Sequence, residues 1–266
     1  MSRRSVGLPR VFSTRHIRWH ELDWHILLIA LALLGMGLIF VSGVAGSKGN
    51  ELTQAVNFDA HRQKVALTLP LILAGLLVRP SWLARNTVWI YLGCLVLLVA
   101  VYAVGEERNN AQRWIQLPGF DLQPSELAKV GVILMLARLL ATNRLERLED
   151  WGKPLAVVAL PMLLVAGQPD LGTALTLVPV TLGMLYLAGA RARTLLGLCL
   201  LGVLAGWMAK SADLVRAYQM ERIETWAGAF DAEGAIALRN GPGFHQYQSR
   251  LAIGNGGLLG RGLGQG

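Results

Sequence analysis

Residues Ala111 to Lys129 read AQRWIQLPGFDLQPSELAK. An arginine, a tryptophan, two prolines, two acids and a lysine stand here between apolar segments long enough to cross a bilayer. Such a stretch is costly at a membrane boundary unless its polar groups have partners or a task. The chain before it reads as delivery to one membrane face, and much of the chain after it as helices to pack against it.

The rest of the composition agrees with a membrane setting. The 266 residues are 53% hydrophobic and 16% charged, with a mean hydropathy of +0.45. An average soluble domain carries about 25% charged residues. The apolar residues also fall in blocks near the roughly 17–25 residues that a spanning helix needs. The formal net charge of +8 would raise nucleic acid as a partner in a soluble protein. Here the basic residues lie in short segments between apolar runs, which the positive-inside bias explains, and no basic stripe interleaved with aromatics is present to hold a single strand. Cys94 and Cys199 lie inside apolar runs without metal-ligand spacing and read as small buried hydrophobes. No cofactor is identifiable, and dependence on a divalent cation is left open.

The chain then divides into a basic tail, 1–23, a helical membrane domain, 24–209, and a segment outside the membrane, 210–266, that looks incomplete. Arg3, Arg4, Arg10, Arg15 and Arg18 put the tail in the cytoplasm. Apolar runs predict helices over about Trp24–Val44, Val65–Val78 with a start nearer Ala60, Val88–Val104, Pro124–Ala141, Pro154–Gly167, a sixth ending near Ala190, and Leu195–Ala209. Arg79, Arg85, Arg138, Arg144, Arg147, Lys153, Arg191 and Arg193 all fall on the inner side of that alternation. The expected fold is therefore an all-α polytopic bundle with about seven spanning helices.

Gln123-Pro124-Ser125-Glu126 and Gln168-Pro169-Asp170 share one local design. Each puts Pro at a helix start, where its missing N–H costs nothing, and an acid in the first turn facing the positive helix end. Two helix N-termini at the interface account for the prolines. Glu126 and Lys129, three apart, share a face as a boundary ion pair or as the polar wall of a cavity. Arg113 and Trp114 are expected on a short amphipathic segment, either as an interfacial anchor or as a pair for an anionic lipid headgroup. Tyr218, Gln219 and Arg222, and the run from His245 to Arg250, are further polar groups. No Walker loop, metal set, triad or dinucleotide motif is present.

At these residues the chain resembles the shape, elongation, division and sporulation family, the RodA/FtsW/SpoVE type. The matching segments are AQRWIQLPGFDLQPSELAK, KPLAVVALPMLLVAGQPDLGTAL, YQMER and YQSRLAIGNGGLLGRGLGQG, in family order. Gln112 in place of a second Arg leans toward the RodA branch. The resemblance implies about ten spanning helices, and a glycosyltransferase that polymerises lipid II with a class B penicillin-binding protein in the bacterial cytoplasmic membrane. It implies that Arg113, Trp114, Gln123, Glu126, Lys129, Gln168, Asp170 and Arg222 line or support a lipid-accessible substrate cavity. The family's proposed catalytic acid lies in a His-Thr-Asp element that this sequence lacks. The expectation is an inactive fragment, continued in frame beyond Gly266. Two other readings are a transporter or flippase for a lipid-linked precursor, with the two QP-acid starts as a pseudo-repeat, and a non-catalytic scaffold of a cell-wall synthesis complex.

Overall fold

The computed structural model describes residues 23–46, 58–108, 111–117, 120–143, 145–212, 217–228, 243–257 and 260–262. The N-terminal arginines lie outside these residues. The elements in order are α1 (Trp24–Gly46), α2 (Phe58–Leu77), α3 (Pro80–Val104), β1 (Glu106–Arg108), β2 (Ala111–Leu117), β3 (Phe120–Leu122), α4 (Pro124–Leu140), α5 (Glu149–Gly167), α6 (Leu171–Leu187), α7 (Ala192–Ser211), α8 (Ala217–Gly228) and α9 (Phe244–Gly256).

Seven helices, α1 to α7, stand where the apolar runs predict them. Four of them are long and apolar enough to cross a membrane by length and composition: α1, α3, α5 and α7. The helix α6, at 17 residues, is apolar but shorter. Two stretches depart from expectation. Residues 106–122 form a small three-stranded antiparallel sheet beside the helices, and part of 210–266 is helical in α8 and α9. The chain divides into two compact units, one spanning 72–205 and the other including 18–71 and 206–266.

The first unit carries the core. Leu98, Val101, Val132, Leu136, Val165, Leu177 and Leu185 are essentially inaccessible. They interlock where α3, α4, α5 and α6 meet. Gly131 of α4 is needed for that approach, because a Cβ there would stand 3.0 Å from Cys94 Sγ of α3. Many other large apolar side chains face outward, among them Ile26, Phe40, Trp89, Val96, Leu163 and Leu200. In hydrocarbon this is the stable arrangement, since lipid tails are as apolar as Leu.

Two prolines inside α5 set a problem that the neighbouring elements solve. Proline has no N–H, so the carbonyl four residues earlier loses its helical donor. Pro161 frees the Val157 carbonyl, and the Tyr91 hydroxyl of α3 donates to it at 2.9 Å. Pro154 frees the Asp150 carbonyl, and the Asn143 side-chain amide donates to it at 2.6 Å. Both prolines are fully buried, where water does not reach the freed groups. The same logic gives a test. Tyr91→Phe is expected to lower stability by roughly 1–3 kcal/mol, the cost of an unsatisfied buried acceptor, read as a drop in the melting temperature of detergent-solubilised protein. Adding Pro161→Ala, which supplies the missing N–H, should recover most of that loss. A double variant no more stable than Tyr91→Phe would count against this assignment.

Candidate substrate site

One end of the first unit gathers the polar groups. The chain leaves α3 at Val104, runs through the sheet and enters α4 at Pro124, while α5 ends at Gly167 beside the start of α6. Pro124 occupies the first turn of α4, and Glu126 stands three residues inside the Gln123 cap position. There it faces the positive helix end.

The sheet places Arg113. Register pairs Glu106 with Trp114 and Glu107 with Gln112, so Arg113 is an extra residue with no opposite number on β1. A bulge of this kind breaks the alternation of a strand and re-aims the side chain. The guanidinium reaches α6, where Nη1 lies 3.4 Å from Asp170 Oδ2. Arg113 and Trp114 are therefore held on a strand of a sheet and not on a lone amphipathic segment. The physical reason is local: β2 is locked between β1 and β3, with Ile115 against Leu122 and Leu117 against Phe120. The Gln116 amide adds a hydrogen bond to Glu106 at 2.6 Å.

Asp170 departs from its expected position as well. It is the N-cap of α6, not a residue of the first turn, and Pro169 precedes the helix. Its Oδ1 accepts from the Thr173 backbone N–H at 3.2 Å and its Oδ2 from the Thr173 hydroxyl at 2.8 Å. The Gln123 amide approaches Oδ2 at 3.5 Å. The carboxylate is 6% exposed and Arg113 is 20% exposed. With its oxygens engaged on these groups, Asp170 acts on Arg113 as an orienting partner.

The other predicted residues separate by environment. Gln168 is buried and its amide donates to the Leu98 carbonyl at 2.9 Å, tying the α5–α6 junction to α3. Glu126 and Lys129 form an ion pair at 2.8 Å with 56% and 28% of their side chains exposed. Such an exposed pair contributes little to stability, so it is available to a ligand. Trp114 is half-buried. Arg222 lies on α8, in the second unit, and its side chain is outside the described part of the structure.

Ser125 is a site residue that the sequence pattern does not single out. Its hydroxyl and Arg113 Nε are buried and find no hydrogen-bond partner among the described residues. Buried donors in that state are uncommon. They mark the α4 N-terminus as a place for an oxygen-rich ligand. No cluster of three or more His, Cys, Asp or Glu able to hold a metal occurs among the described residues.

A family model described as cell cycle protein, FtsW/RodA/SpoVE, matches residues 24–266. The chain belongs to that family. It is 35% identical over 262 residues to a probable peptidoglycan glycosyltransferase FtsW of Alkalilimnicola ehrlichii, covering 93% of this chain and 61% of the relative. It is 33% identical over 243 residues to the peptidoglycan glycosyltransferase MrdB of Escherichia coli K12, covering 91% and 62%. The chain thus spans about three fifths of the length of these relatives. Among solved structures it resembles Thermus thermophilus rod shape determining protein RodA, with a TM-score of 0.57 at 31% identity over 71% of this chain and 61% of the other. A chain from a structure described as a peptidoglycan synthase complex gives 0.68 at 30% identity, covering 90% and 67%. The family and the outward-facing apolar helices make this a multi-pass membrane protein.

Asparagine and alanine at position 170 separate its two jobs. Asp170→Asn keeps a good cap and removes the charge that Arg113 faces, and Asp170→Ala removes both. Thermal melting in detergent is expected to rank wild type above Asp170→Asn and Asp170→Asn above Asp170→Ala, the last step being about 1 kcal/mol for the cap. Equal melting of wild type and Asp170→Asn would show that the ion pair contributes nothing.

Proposed function

We propose that these residues form the substrate-holding part of a peptidoglycan glycosyltransferase that polymerises lipid II. The observation that carries the reading is the Arg113–Asp170 arrangement. A guanidinium fixed on one side by a buried carboxylate keeps its remaining donors, Nε among them, for an anion. The diphosphate of a lipid-linked sugar is such an anion, and its charge grows as the glycosidic bond breaks. A cation already in place stabilises that charge without reorganising in the transition state. Glu126 and Lys129 form the adjoining wall, and Trp114 offers an aromatic surface for sugar or prenyl groups. Gln123, Gln168 and Asp170 position these groups, and Arg222 is carried as a further contact. The base that takes the proton from the attacking hydroxyl is assigned to none of them. The names of the relatives support the reaction class.

Within the same reading the protein works in the bacterial inner membrane beside a class B penicillin-binding protein, consistent with the synthase complex that one structural relative comes from. All seven predicted helices cross the bilayer. Arg79, Arg85, Arg138, Arg147, Lys153, Arg191 and Arg193 cluster at the end of the first unit away from Arg113. The positive-inside bias then turns Arg113 outward and leaves the N-terminus in the cytoplasm. A transport path is less favoured, because the layer between the two ends is filled by Leu98, Val101, Ala128, Val132 and Val165.

The test is polymerisation of lipid II, followed on gels, by the protein expressed from its complete reading frame. Arg113→Lys keeps a positive charge for Asp170 and loses the planar fork. It should melt near wild type while slowing polymerisation about tenfold, equivalent to ~1.4 kcal/mol in the barrier. Glu126→Gln and Lys129→Gln should likewise reduce turnover with melting within a degree or so of wild type. Full activity in all three variants would remove these side chains from the substrate site.

A further inference from the structure

We propose that a cavity between α5, α6 and α7 binds one hydrocarbon chain of an anionic phospholipid, with its headgroup held by Lys153, Arg191 and Arg193. The site is separate from Arg113 and Asp170. It lies toward the opposite end of α6, so its failure leaves the substrate reading untouched.

The cavity has a volume of about 580 Å³ and is lined by Leu155, Val158 and Met162 of α5, Leu175 to Leu185 of α6, and Leu198 to Val203 of α7. That volume is within the range of sites that hold a whole small ligand, about 300–1,000 Å³. Its lining offers almost nothing polar. The Thr181 hydroxyl is spent on the Leu177 carbonyl at 2.6 Å, and Cys199 contributes a weakly polar thiol. Cys199 was expected to be buried and is instead exposed, because α7 has no buried residue and meets its neighbours loosely. An apolar space of this size excludes water, and leaving it empty forfeits dispersion contacts on every wall. In a bilayer the occupant at hand is a lipid chain.

Charge identifies which lipid. Lys153 precedes the lining residue Leu155 by two positions, and Arg191 and Arg193 precede Leu198 at the same end of the bundle. All three are exposed, with no ion pair to them among the described residues. The acids nearby are otherwise engaged. Glu149 pairs with the Arg147 guanidinium at 3.3 Å, and Asp150 accepts from the Arg147 backbone N–H at 2.9 Å. Three cations at the mouth of a chain-sized cavity suit a phosphate-bearing headgroup with net negative charge, and basic pockets between membrane helices bind such headgroups. Trp151, Leu145, Leu185 and Ala190 pack as a buried cluster that floors the cavity and fixes the helix ends carrying these cations.

The experiment reconstitutes the full chain in vesicles of three parts phosphatidylcholine to one part phosphatidylglycerol. Each preparation contains a trace of phosphatidylglycerol or phosphatidylcholine bearing a diazirine in one acyl chain. After illumination, labelled peptides are mapped by mass spectrometry. Labelling of α5 to α7 is expected to be at least threefold stronger with the phosphatidylglycerol probe. Lys153→Gln/Arg191→Gln/Arg193→Gln should reduce it to the phosphatidylcholine level. Gly202→Phe, at a position where a Cβ meets nothing within 4 Å, should fill the cavity and lower labelling by both probes at unchanged melting temperature. Equal labelling by the two probes in wild type, a preference that survives the triple variant, or no label on the cavity walls would each overturn the proposal.

Discussion

Hydrocarbon offers no hydrogen bonds, so every backbone and side-chain polar group at membrane depth must find its partner inside the protein. The helices α3 to α6 are arranged around that constraint. Two prolines bend the rule inside α5, and Tyr91 and Asn143 each restore it by donating to the carbonyl that a proline released. Gln168 binds the Leu98 carbonyl for the same reason. These contacts join elements far apart in sequence, and they fix the register in which the four helices pack.

The substrate end is the same solution put to another use. Asp170 caps α6 and holds Arg113, so one buried carboxylate serves both the fold and the orientation of a cation. A bulge in β2 is what lets Arg113 leave its strand and meet that carboxylate. What remains unmatched, Arg113 Nε and the Ser125 hydroxyl, is small in number and lies on β2 and the first turn of α4. In a membrane protein with its other buried polar groups satisfied, donors left open are where a ligand is accommodated. The Glu126–Lys129 pair adds exposed charge on the same helix.

Much of this was legible in the sequence, and the limits have physical causes. Long apolar runs identify the helices because length and hydropathy are properties of a single segment, and Pro124 at the start of α4 follows from its own ring. The sheet was missed because β1 and β3 are three residues each, too short to show a period of two. With it went the bulge that aims Arg113, which exists only in the pairing of two strands. Asp170 was recognised as an acid at a helix start, but its place as the cap, with Thr173 answering it, depends on where the chain turns. Gln168 and Asp170 looked like equal members of a cavity wall; the contact of Gln168 with a carbonyl 70 residues away has no local signal. Ser125 carried none either.

In the proposed site Arg113 and Asp170 act as one unit toward the substrate. A double-mutant cycle on lipid II polymerisation with Arg113→Ala, Asp170→Ala and the double variant tests this most directly, with helix capping controlled by Asp170→Asn. If Asp170 works by orienting Arg113, the double variant should be about as slow as Arg113→Ala alone, so that the effects of the two changes fail to add. Multiplying fold-losses, with the double variant slower by the product of the two single effects, would contradict that coupling and leave the two residues with independent roles.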